Sequence, residues 1–244
     1  MPHQNTDKSS ANTQDTPLED RSDLPEAELP LPATDERPVV RPIDPVALSN
    51  DQLARGEMSG AMATLRAAIV REPGNARARA ALAPLMAKRG DIEGALAELG
   101  RAIESAPDDV TILCARAAML AARSRYDLAE VDLRRAARAA DTSAEVHVQL
   151  GMLFSKRARW REAIEPLRLA VGLDPNLADA HYHLGEAYNH IDDLPAALAS
   201  YEAAAVLQPT NLRALKGIGI VLDRLGRPDE AAAAYRRARD AQKR

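Results

Sequence analysis

The chain is nearly without aromatic residues: one Trp, one Phe and five Tyr, 3% of 244 residues, although 46% of them are hydrophobic. Sheet sandwiches and barrels fill their cores with bulky layers, so this composition speaks against an all-β fold and for Ala- and Leu-rich helices in close contact. Cys114 is the only cysteine. It excludes an intramolecular disulfide and a zinc site built from several thiolates, and its place between Leu113 and Ala115 reads as a small buried apolar position. No apolar run approaches the ~20 residues needed to span a bilayer, and no basic start leads into an apolar stretch at the N-terminus. The expectation is a cytoplasmic protein that does not insert into a membrane. There is no Gly-rich phosphate loop, no Ser or Cys beside a base and its orienting group, and no carboxylate pair on a recognisable scaffold. No enzymatic activity and no cofactor are therefore expected.

Neither sign of charge dominates the bulk of the chain. Of the net charge of -4, the residues before Pro42 carry nine Asp or Glu against four Lys or Arg, leaving 28 basic against 27 acidic residues from Pro42 on, a net of +1. Arg134, Arg135 and Arg138 cluster, as do Arg236, Arg237 and Arg239, but acids are interspersed. A nucleic-acid binder would carry a continuous basic face, so these read as solvated helix faces and no nucleic-acid partner is expected. Residues 1–41 are polar in their first half and then carry Pro25, Pro30, Pro32 and Pro38 among acids. Too little apolar surface is present to offset the entropy of ordering, which predicts a disordered acidic arm. Such an arm would serve as a solubilising tail, a docking motif, or a pseudo-ligand for the rest of the chain.

What is present is a repeat. In the stretch Ala178 to Asn211, His181, Leu184, Gly185 and Tyr188 share one side of a first helix, Ala197, Tyr201 and Ala204 one side of a second, and Pro209 closes the unit. Stepping by about 34 residues gives Ala61, Ala95, Ala129, Ala163, Ala197 and Ala231, and one register on Ala68, Ala102, Ala136, Ala170, Ala204 and Ala238. Between them stand Leu65, Leu99, Leu133, Leu167, Tyr201 and Tyr235. Helix backbones approach closely only where a side chain is a methyl or less, and the bulky residue one turn away fills the groove beside it. Asp44 and Pro45 suit the start of the first helix. Gly56, Gly90 and Gly226, with Ser124, Ala158 and Asp192 in the same register, mark the turn inside each unit, and Pro73, Pro107, Pro175 and Pro209 follow second helices. Pro84 and Pro166 fall inside helices and should bend them. Arg116 and Asp141 break the pattern of the third unit, which makes residues 110–143 a candidate hinge.

This pattern resembles the tetratricopeptide repeat, with His181 at the position where that motif usually carries Trp. The resemblance covers about Pro42 to Arg244 and implies an all-α, right-handed solenoid of about six helix-turn-helix repeats, near residues 42–75, 76–109, 110–143, 144–177, 178–211 and 212–244. It further implies that the first helices line a concave groove that binds a peptide or helix of another protein. By position, the N-terminal part of that groove would be lined by Arg77, Ala80, Pro84, Thr111, Cys114, Ala118, Glu145, Val148 and Met152. Its C-terminal part would be lined by Asp179, Tyr182, Glu186, Asn189, Arg213, Lys216, Ile220 and Asp223. The first set is small and apolar, suited to an aliphatic or helical ligand. The second is charged and aromatic, suited to orienting it. Chaperone-binding relatives clamp a C-terminal carboxylate with Lys and Asn, but Cys114 and Ala118 stand where those residues would be needed, which rejects that reading.

One constellation has metal-ligand character. His183, Glu186 and His190 lie at i, i+3 and i+7 on one helix face, with Asp223 as a fourth ligand from the next helix. A polar groove wall in which the acid bonds one His accounts for the same spacing, and the expectation is no bound metal. His147 and His181 read as packed between helices, Trp160 and Phe154 as core. The function expected is a protein-interaction scaffold or adaptor. Two alternatives stand beside it. GIGIVLDRLGRPDEAAAAYRRA resembles repeats of tight-adherence pilus assembly proteins, which would make the chain an assembly factor of a bacterial pilus or secretion apparatus. The groove of one copy could also receive part of another, giving a self-assembling homo-oligomer.

Overall fold

The computed structural model describes residues 43–243, and the expected disordered arm, residues 1–41, lies outside them. The described residues form twelve α-helices and no strand. They pair as α1 (Pro45–Ala54) with α2 (Met58–Arg71), α3 (Ala76–Lys88) with α4 (Ile92–Ser105), and α5 (Val110–Ala122) with α6 (Tyr126–Ala139). The series continues as α7 (Ala144–Lys156) with α8 (Trp160–Leu173), α9 (Ala178–His190) with α10 (Leu194–Leu207), and α11 (Leu212–Arg224) with α12 (Pro228–Gln242). The result is a solenoid of six helical hairpins.

Half of the helices begin on a side-chain cap. Side chains of Asp44, Asn75, Asp91, Asp109, Asp193 and Asn211 accept a backbone N–H of the first turn, as at Asp44, which takes Val46 N–H at 3.0 Å ahead of Pro45. Second helices end two residues before Pro73, Pro107, Pro175 and Pro209, because the residue before a proline is pushed out of the helical region. The six residues of the turn register all have positive φ, from 55° at Ala158 to 88° at Gly90. Half of them carry a side chain there, at a steric cost glycine would avoid.

The alanine registers are the contact surfaces. All twelve of these alanines are buried, as are Leu65, Leu99, Leu133, Leu167 and Tyr201, while Tyr235 is half-buried at the end of the array. The bulky residue of the second helix sits on the small residue of the first. A methyl added at Gly151 would overlap Leu167, and one at Gly185 would come within 2.7 Å of Tyr201. The first helices of neighbouring hairpins touch one another at α1–α3, α5–α7, α7–α9 and α9–α11, whereas second helices make no comparable contact. The array therefore curves with its first helices inside.

The rule-breaking residues are accommodated. α3 and α8 run through Pro84 and Pro166 to the same lengths as their counterparts. In the third hairpin the core is closed, with Ile112, Leu113, Ala117, Leu120, Ala129, Leu133 and Ala136 all buried. Arg116 reaches across it and donates from Nε and Nη2 to Asp132, at 2.8 and 2.6 Å. Asp132 is 2% exposed. At the same register Leu82, Leu150 and Leu184 are buried in other hairpins, so this ion pair stands where those hairpins place an apolar side chain.

Candidate functional site

Two hollows open on the face lined by the first helices. The first, about 360 Å³, lies between α5 and α7 over α6, and its lining includes Cys114, Ala118, Leu133, Met152, Leu153 and Lys156. The second, about 320 Å³, lies between α9 and α11 over α10, and Tyr182, Glu186, Asn189, Arg213, Lys216 and Ile220 are among its walls. Of the residues expected along the groove, Cys114, Ala118 and Met152 line the first hollow, and Tyr182, Glu186, Asn189, Arg213, Lys216 and Ile220 line the second.

In the apolar hollow, Cys114 and Met152 are half-buried and Ala118 is exposed. The Cys114 thiol is pushed up first by burial and then by the carboxylates of Glu145 and Asp132, which slows its reaction as a nucleophile without abolishing it. Ala80 lies half-buried on α3, outside the hollow. Val148 was expected to line the groove, but it is 7% exposed and packs on Ala170 and Ala180, because α8 and α9 close over it. The sequence reading omitted Ala115, Ala121, Gln149 and Lys156, which also line the hollow. Lys156 follows Met152 by one turn, and Ala121 follows Ala118 by nearly one, so helical spacing was the signal that places them on the same face.

The second hollow is a hydrogen-bonded network. Tyr182, 8% exposed, donates its hydroxyl to Glu186 Oε1 at 2.8 Å, and His183 Nδ1 donates to Glu186 Oε2 at 2.9 Å. Burial raises the Glu186 pKa, but these two bonds and the charges of His183 and Arg213 outweigh it, and the net shift is downward. The Arg213 guanidinium lies 4.6 Å from the Tyr182 ring centre and 3.7 Å from Asp179. Tyr182 lines this hollow, but most of its ring is buried inside the wall. Asn189 is occupied as well, since its side-chain Oδ1 accepts from Arg224, and Asp223 accepts from Tyr235 at 2.9 Å. The exposed groups here are His190, Arg213, Lys216 and Ile220.

The weak metal candidate is corrected by this geometry. Glu186 is committed to His183 and Tyr182, His190 is stacked on Trp160 with ring centres 3.8 Å apart, and Asp223 holds Tyr235. Among the described residues no cluster of three or more His, Cys, Asp or Glu could hold a metal ion. His147 is buried as expected, and its Nε2 donates to the Asp141 carbonyl at 2.9 Å. His181 does the same with Pro175 at 3.0 Å, and Arg79, in the same register, with Pro73 at 2.8 Å, so in the second, fourth and fifth hairpins this position ties the hairpin to the loop before it. Phe154 is core, but Trp160 is only half-buried. In the arginine clusters, Arg134 pairs with Glu130 and Arg135 with Asp108. Among the described residues no helix is long and apolar enough to cross a membrane.

Two family models, both described as tetratricopeptide repeat, match the chain, one over residues 52–123 and the other over 148–211 and 192–243. No curated protein matches it. Among solved structures, MamA is 25% identical with a TM-score of 0.63, over 66% of this chain and 95% of that one. YrrB, described as a TPR protein with an unusual peptide-binding site, is 22% identical with a TM-score of 0.62, over 73% and 92%. PilF of Pseudomonas aeruginosa is 22% identical with a TM-score of 0.67, over 78% and 86%.

Proposed function

The chain belongs to the tetratricopeptide repeat family, and on that premise we propose that it is a protein-interaction scaffold or adaptor holding a peptide or helix of a partner along its first helices. The observation that carries this reading is the pair of hollows on that face, one apolar and one with exposed cations. A preformed groove loses little entropy on binding, so a few anchors suffice for affinity. Met152 supplies apolar contact, while Arg213 and Lys216 orient the ligand. The peptide-binding site named for YrrB is a precedent on this fold for such recognition. The likeness to PilF is one of fold, and the pilus-assembly reading gains no residue-level support from it.

The test is affinity capture from the native host, comparing the wild type with a Met152→Glu, Lys216→Glu variant and with a chain lacking residues 1–41. Both substituted side chains reach solvent, so the fold should tolerate them. The reading requires at least one partner held by the wild type and the shortened chain and lost from the groove variant. Identical partners in all three would remove it.

A further inference from the structure

The apolar hollow exists because α5 presents Cys114 and Ala118 where α7 presents Val148 and Met152, and α9 presents Tyr182 and Glu186. Bulk is missing from one wall only, above a floor that includes Leu133. The two ends of the hollow differ in charge. Glu145, in the first turn of α7, is exposed one turn before Gln149, which lines the hollow. Lys156, the last residue of α7, lines the other end. Neither has an ion-pair partner among the described residues. Their positions lie about 16 Å apart along the helix axis.

The geometry points to one occupant, and the inference rests on the groove reading above. It is an amphipathic helix of a partner protein, about three turns long and antiparallel to α7, with apolar side chains in the hollow, a basic residue near Glu145 and an acidic residue near Lys156. A helix is favoured over an extended strand because the walls are themselves helices with satisfied backbones. An extended ligand would lose water from its own N–H and C=O groups with little besides Gln149 to replace it, whereas a helix brings its backbone bonds with it. The direction follows from charge. Helices carry acids most favourably in the first turn and bases in the last, so the end that meets Lys156 is the partner's N-terminus.

The probe is a synthetic end-capped peptide of this design, with Glu in the first turn, a Leu stripe and Lys in the last turn, beside the same peptide with Glu and Lys exchanged. Peptide anisotropy gives affinity, and because Cys114 is the only thiol, its alkylation rate in the full chain reports occupancy of the hollow. The Glu-first peptide should bind about tenfold more tightly than its exchanged form and protect Cys114. A Glu145→Lys, Lys156→Glu variant should reverse the preference, and Ala118→Trp, at an exposed position, should abolish binding while leaving the circular dichroism unchanged. Equal affinities, absence of binding, or binding without protection would each overturn the inference. So would protection produced by raising the protein concentration alone, which would put a second copy in the hollow. If groove-dependent capture of a host partner persists while neither peptide protects Cys114, the scaffold reading survives and this one does not.

Discussion

The Trp160 indole and the His190 imidazole lie parallel, 3.8 Å between ring centres and 4° between planes, joining the start of α8 to the end of α9. Because Trp160 is the only tryptophan, this contact can be read directly in solution. A stacked imidazole quenches indole emission. In His190→Ala the emission should therefore be brighter. Equal emission from the two proteins would mean that the stack does not form.

The Arg116–Asp132 pair should show the asymmetry of buried charges. Asp132→Ala leaves a guanidinium with 28% side-chain exposure and no partner across the hairpin, and should cost about 2–3 kcal/mol. Adding Arg116→Leu restores the residue type found at positions 82, 150 and 184 and should recover most of that loss. Denaturant midpoints of both single variants and the double variant check this. A double variant no more stable than Asp132→Ala would refute the compensation.

Ala158 holds φ at 55° in the turn between α7 and α8, where Gly56, Gly90 and Gly226 serve other hairpins. Ala158→Gly should stabilise the fold by about 0.5–1 kcal/mol, the relieved strain exceeding the added freedom of the unfolded chain. A lowered denaturant midpoint would contradict it.

Tyr182 and Tyr201 predict the alkaline limit of stability. Burial raises the Tyr182 pKa, assisted by its bond to Glu186; burial also raises that of Tyr201, assisted by the charges of Glu186 and Tyr182. The unfolded chain ionises these phenols near their ordinary pKa of about 10, while the folded chain holds the protons. Above that pH the unfolded state binds fewer protons, so stability falls as pH rises, and below it the two residues contribute no pH dependence. Tyr201→Phe should flatten the fall between about pH 9 and 11, as measured by urea unfolding. An unchanged slope would place the loss elsewhere.

The array was legible in the sequence because a solenoid repeats its local constraints. Alanine recurs where helices must touch, a bulky residue recurs where a groove must be filled, and Gly56 and Ala158 fall in one turn register although only one of them is suited to it. The site was legible by position but less so by role. Spacing placed Val148 and Tyr182 on the inner face, yet α8 and α9 cover Val148, and Glu186 with Arg213 occupies Tyr182. Lys156 was missed because it sits at the last residue of its helix, beyond the registers that carry the repeat.

The sequence by itself determined the helices, their pairing and the packing registers, since these depend on residues a few turns or one period apart. Only the tertiary structure decided which inner-face residues remain free, that Asp132 answers Arg116, that His190 stacks on Trp160 and leaves His183 and Glu186 without a third ligand, and that a hollow opens beside Cys114. Each of these is set by side-chain direction and by what a neighbouring hairpin brings to the same place, and neither can be read from spacing along one helix.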